Sequence, residues 1–130
     1  MASITTALKN ECADAFGDSL DSGFIRIYSG SVPADADTAL SGQTQLAELT
    51  FAANAFDPAS GGVATANAIT DGTASATGTA TFFRVLQSNG STVRSQGTVG
   101  TSGADMNLNN TSIISGGNVS ITSFTYTVNG

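Results

Sequence analysis

The chain contains no histidine and no tryptophan, a single cysteine, and only four basic residues among its 130. Without histidine, the usual general base, the commonest metal ligand and the nucleophile–histidine triads are all missing. One cysteine makes neither an intrachain disulfide nor a zinc site. Cys12 has no histidine to activate it. Its place in the first segment reads as a small buried apolar side chain, not a catalytic thiol. Lys9, Arg26, Arg84 and Arg94 are scattered, and the net charge is −6. Binding a phosphate backbone requires several clustered cations, so nucleic acid and anionic membrane surfaces are not expected partners. No apolar run approaches the length of a membrane span. Met1-Ala2-Ser3 is not followed by the basic and apolar regions of a secretion signal, so the expectation is a chain made and folded in a reducing cytoplasm.

Charged residues are also scarce, at 11%, against roughly 25% in ordinary soluble domains. Ala, Gly, Ser, Thr and Asn take their place. Leu, Ile, Val and Phe together reach only about a fifth of the residues, near the level at which a core becomes thin. Ordering the backbone costs on the order of 1–2 kcal/mol per residue. A thin core offsets that with little margin, and burial against neighbouring subunits would supply the remainder. Composition therefore points to an oligomer or a subunit of an assembly, with one domain's worth of chain.

The carboxylates do not assemble into an evident catalytic or metal motif. Asp35 and Asp37 are the one close pair outside the first segment, and a calcium loop requires more oxygens at regular spacing. A helix cap or solvated loop is the plainer reading. Residues 97–103 are glycine-rich but lack the Lys-Ser/Thr of a phosphate loop and lead into no helix. Thr79, Thr81, Thr125 and Thr127 read as solvent-side strand residues. Asn89, Asn109, Asn110 and Asn118 open glycosylation triplets that are chance matches in a composition so rich in Asn, Ser and Thr. The expectation is a protein that is not an enzyme and uses no cofactor or metal.

Residues 1–22 hold the one helical stretch. Ile4, Leu8, Cys12, Phe16 and Leu20 recur every four residues and form the candidate interaction face. Thr5 or Thr6 caps its start, and Gly23 is placed to end it in the left-handed conformation. Residues 23–130 read as a β body in the same single domain. Strands are expected at 24–28, 45–51, 63–69 (paired with the strand before it), 78–86, 92–99, 106–108 and 119–128. Residues 38–40 are a candidate helical turn capped by Asp37. Phe82 and Phe83 point to opposite faces, so both sides of that strand should be covered. Asn89-Gly90 is the best hairpin signal, of type I′. Arg84 and Arg94 either approach one another across that hairpin or are solvated. Val119 and Ile121 lie in one phase, and Phe124, Tyr126 and Val128 in the other. The switch near Thr122-Ser123 requires a bulge or a strand passing between sheets. The fold class is mainly β, an antiparallel β-sandwich or jelly-roll-like barrel with one N-terminal α-helix.

The segments 4–10, 27–30 with 33–37, 40–44, 61–69, 98–105 and 119–128 together resemble a family of small virion structural proteins of tailed bacteriophages, of the capsid decoration or cement type. The likeness spans nearly the whole chain and rests on turns and strands. It implies a structural role on the capsid surface, with copies of the chain itself (a dimer or trimer) and the major capsid protein as partners. A tail, connector or baseplate component is the alternative. A glycan-binding β-sandwich is the second, weakened by the lack of tryptophan, since only Tyr28 and Tyr126 could serve as sugar platforms.

Overall fold

The computed structural model describes residues 4–128. One helix, α1 (Thr6–Asp18), is followed by β1 (Phe24–Ser29), β2 (Thr44–Thr50), β3 (Val63–Thr65), β4 (Gly72–Thr73), β5 (Gly78–Thr79), β6 (Phe82–Leu86), β7 (Val93–Gly100), β8 (Met106–Leu108), β9 (Ser112–Ile113), β10 (Asn118–Val119) and β11 (Ile121–Thr127). Seven strands make one sheet in the order β2-β1-β6-β7-β8-β11-β3. The pairs β10-β4 and β5-β9 form two small ribbons. The mainly-β class with one helix agrees with the sequence. The sheet is mixed, not wholly antiparallel, because β7 and β8 run parallel.

The register explains how both faces of the central strands are covered. Ile25 pairs with Val85 and Ile27 with Phe83 on the inner face, while Arg26 pairs with Arg84 and Tyr28 with Phe82 on the outer. Phe82 is 0% exposed and Phe83 2%. The inner residues join Met106, Leu108 and Phe124, the ribbon residues Ile113 and Val119 with Ala74 just past β4, and the helical Ala13 in one apolar cluster. At roughly 25 cal/mol per Å² of buried apolar surface, this cluster is the main source of stability. Several aromatics meet inside it edge to face, including Phe83 with Phe124 at 5.2 Å between centroids, the arrangement their quadrupoles favour.

Several local expectations are corrected. Residues 63–69 form a strand only at 63–65, and β3 pairs with β11, not with the strand before it. The 78–86 stretch is broken at Ala80-Thr81, where the Thr81 hydroxyl donates to the Gly30 carbonyl at 2.9 Å. In the β6–β7 hairpin only Gly90 has a positive φ, of 73°, so the turn is not type I′. Asn89 instead accepts the Ser91 and Thr92 amides through its side chain. The turn at 36–38 is not helical and is capped by Asp35, which accepts from the Asp37 amide and the Thr38 hydroxyl. The phase switch in the last strand is present: β10 ends at Val119, and the β11–β8 register shifts between Ile121 and Ser123.

Candidate interaction surfaces

The helix begins as expected, with the Thr5 hydroxyl accepting the Leu8 amide at 3.2 Å. Its docked face differs from the stripe of four-residue steps. Ala13 and Gly17 are buried against the body, and a Cβ added at Gly17 would lie 2.9 Å from the Phe56 Cβ. The helix therefore approaches closely because its contact residues are small. Asn10 and Asp14 lie along the same side, and Asp21 follows three residues past the helix end. Their Oδ1 atoms accept the amides of Gly62 (2.8 Å), Ala59 (2.7 Å) and Ala55 (2.9 Å). Three side chains thus satisfy amides of the 55–62 loop; Asn10 and Asp14 pin the helix across it, and Asp21 ties down the segment that follows the helix.

Of the candidate face, Leu20 is fully buried beyond the helix end. Phe16 is half-buried and stacks on Tyr126 with centroids 3.8 Å apart. Ile4 is half-buried. Leu8 is 42% exposed, and Cys12 is exposed, contrary to its reading as a buried side chain. Each four-residue step on an α-helix overshoots a full turn by about 40°, so five such residues fan over about 160°. One end of the fan meets the body and the middle faces outward. The signal in the sequence for the true face is Asn10, Ala13, Asp14 and Gly17, which are small or hydrogen-bonding and carry no apolar stripe.

A second feature lies on the outer face of the sheet. Arg84 is 5% exposed, so it does not face solvent, and the residue opposite it across the hairpin is Gln96, not Arg94. Its Nε donates to Gln96 Oε1 and one terminal nitrogen donates to the carbonyls of Asp35 and Thr38. Gln96 also donates to the Pro33 carbonyl at 3.0 Å. Segment 33–38 is thereby strapped to the outer face of the sheet, the face on which the Tyr28 and Phe82 rings stack with centroids 5.1 Å apart. The Thr38 hydroxyl, assisted by the Asp37 amide and the Arg84 charge, holds the Asp35 carboxyl below its usual range. Nearby, Glu48 pairs with Arg26 at 2.7 Å and raises the guanidinium pKa, first through that hydrogen bond.

A third feature is a cleft in the sheet. β8 meets β7 only at Val99–Gly100 and β11 only at Ile121–Phe124. Beyond Asp105 no described strand pairs with the facing edges of β7 and β11, and a cavity of about 350 Å³ opens there with Phe83, Phe124 and Tyr126 among its walls. A smaller cavity of about 230 Å³ lies between the helix and the loop, lined by Asp14, Asp18, Asp57 and Phe56. Among the described residues no three His, Cys, Asp or Glu side chains converge to hold a metal ion. No described helix is long and apolar enough to cross a membrane.

No protein family, curated protein or solved structure matches the chain.

Proposed function

We propose that this chain is a structural virion protein of a tailed bacteriophage, and that it decorates the capsid by bridging major capsid subunits. Its partners in this reading are copies of itself and the major capsid protein, and its role is mechanical. The observation that carries the proposal is the outward presentation of Leu8 and Cys12 on a helix that the Asn10 and Asp14 side chains fix to the body by hydrogen bonds. An apolar contact held on a rigid support loses little entropy on docking, which favours binding. The low charge content and the sequence likeness to small virion proteins support the same reading.

The test counts copies of the chain in separated heads and tails by quantitative mass spectrometry. Hundreds of copies confined to heads are expected. A small number confined to tails would replace decoration with the tail or connector reading, and absence from the particle would overturn the structural role. Leu8→Asp refines the test. Because Leu8 is outside the core, the variant should fold with an unchanged melting temperature and lose at least tenfold in particle binding, about 1.4 kcal/mol or more.

A further inference from the structure

The cleft between β7 and β11 has the width of one absent strand. β8 lies between those two strands at Met106–Leu108, so the edges below it stand two interstrand spacings apart, about 10 Å. The ladder phase shows which backbone groups face the gap. On β11, the Val128 amide donates to Gly62 and the Phe124 carbonyl accepts from Ala66, both toward β3. Alternation then turns the main-chain groups of Thr125 and Thr127 into the cleft. On β7, the Val99 amide points to Thr81 and the Thr98 amide points the other way, to Asp105 Oδ2 at 3.0 Å. The main chain of Gln96 therefore faces the cleft as well. The floor is aromatic: Phe83 and Phe124 lie beneath these edges, with Tyr126 beside them.

Asp105 closes one end. Oδ2 accepts the amide and hydroxyl of Thr98, and no cation pairs with the carboxylate among the described residues. A strand edge capped by an inward carboxylate is protected against casual pairing, and the cap leaves a negative charge at the mouth of a slot whose rim is polar and whose floor is aromatic. On a chain of net charge −6, that charge favours a neutral or basic occupant over a second copy.

We propose that this cleft is a strand-addition site, occupied by an extended segment of a partner protein that runs parallel to β7 and antiparallel to β11. The segment places an apolar side chain on Phe83 and Phe124 and a lysine or arginine, at its C-terminal end, beside Asp105. Main-chain hydrogen bonds to Gln96, Thr125 and Thr127 supply the affinity, and the floor and Asp105 supply the selectivity. The inference does not depend on the virion reading, since peptide binding is measured on the purified chain whatever the particle counts show.

The experiment titrates the isotope-labelled full chain with acetyl-Thr-Val-Thr-Val-Lys-amide and follows the amide resonances. Saturable shifts at Gln96, Asp105, Thr125 and Thr127 are expected, with a Kd on the order of 1 mM. Replacing the peptide lysine by glutamine should weaken binding severalfold, and Asp105→Asn should abolish that preference. Thr127→Pro removes one cleft-facing N–H without touching the β3 ladder and should weaken binding at least tenfold. Absence of saturable shifts at these amides, or shifts of equal affinity in a folded Thr127→Pro, would overturn the site. Should Thr127→Pro fail to fold, the Asp105→Asn comparison decides: a lysine preference that survives it overturns the assignment.

Discussion

At the exit of the helix, two adjacent residues divide a task that the sequence assigned to one. Ser22 carries the positive φ, 56°, whereas Gly23 does not. Glycine is needed at 23 for space: a Cβ there would collide with the Leu86 carbonyl and lie 2.8 Å from that of Leu20. A serine in the left-handed region costs about 1 kcal/mol relative to glycine. Ser22→Gly should therefore stabilise the protein by about 0.5 kcal/mol after the entropic cost of glycine. Gly23→Ala should destabilise it by about 2 kcal/mol or more, because both neighbours are backbone atoms and cannot rotate away. Thermal denaturation of the two variants, opposite in sign at neighbouring positions, checks the assignment. Cys12 illustrates the same limit from the other side. Its residue type favours burial, and only the rotation of α1 about its axis turned it outward.

Elements show how little a regular pattern says about partners. The four-residue repeat identified a helix correctly, but the face it buries is the one with small side chains and acceptors for loop amides. The strap over the outer sheet face depends on Arg84, a charge whose partners are carbonyls and a glutamine. Arg84→Met keeps the buried stem and removes the donors. It should cost about 2 kcal/mol and raise amide exchange in residues 33–38 at least tenfold, with β6 protection reduced far less. Asp35 adds a pH dependence of known sign. Its carboxyl is held low, so the ionised form is the one the strap binds. The contribution is complete above the ordinary carboxylate value of about 3.9 and is lost as pH falls through the lower folded value. Exchange at the Asp37 amide, followed from neutral pH to pH of about 3, should show the strap loosening before the sheet does.

On the scale of the whole molecule, one apolar cluster includes Ala13 and Leu20 from the N-terminal segment, both sheet edges and residues of both ribbons. Helix and body share buried surface, so they should unfold together. Helical ellipticity and the methyl resonances of Ile25 and Val85 are expected to melt at the same temperature, within about 2 °C, as two-state behaviour requires. Phe16→Ala removes the ring stacked on Tyr126 and should lower both transitions equally. A helical transition that preceded the other would mean the helix is docked independently of the core.

Sequence alone determined what is local. Adjacent Phe82 and Phe83 specified a strand covered on both faces, the phase change between Ile121 and Phe124 specified a bulge or a change of sheet, and Thr5-Thr6 specified where the helix starts. Each of these depends on residues a few positions apart, where the helical or extended repeat converts spacing into direction. What remained was set by contacts between distant residues. Val63–Thr65 pairs with β11 because burial, not chain proximity, chooses a partner for so short a strand. Arg84 is interior because a segment some fifty positions earlier supplies the carbonyls. The cleft beside Asp105 exists only because β8 stops short between two strands that outrun it, a relation of three lengths in space that no single stretch of sequence encodes.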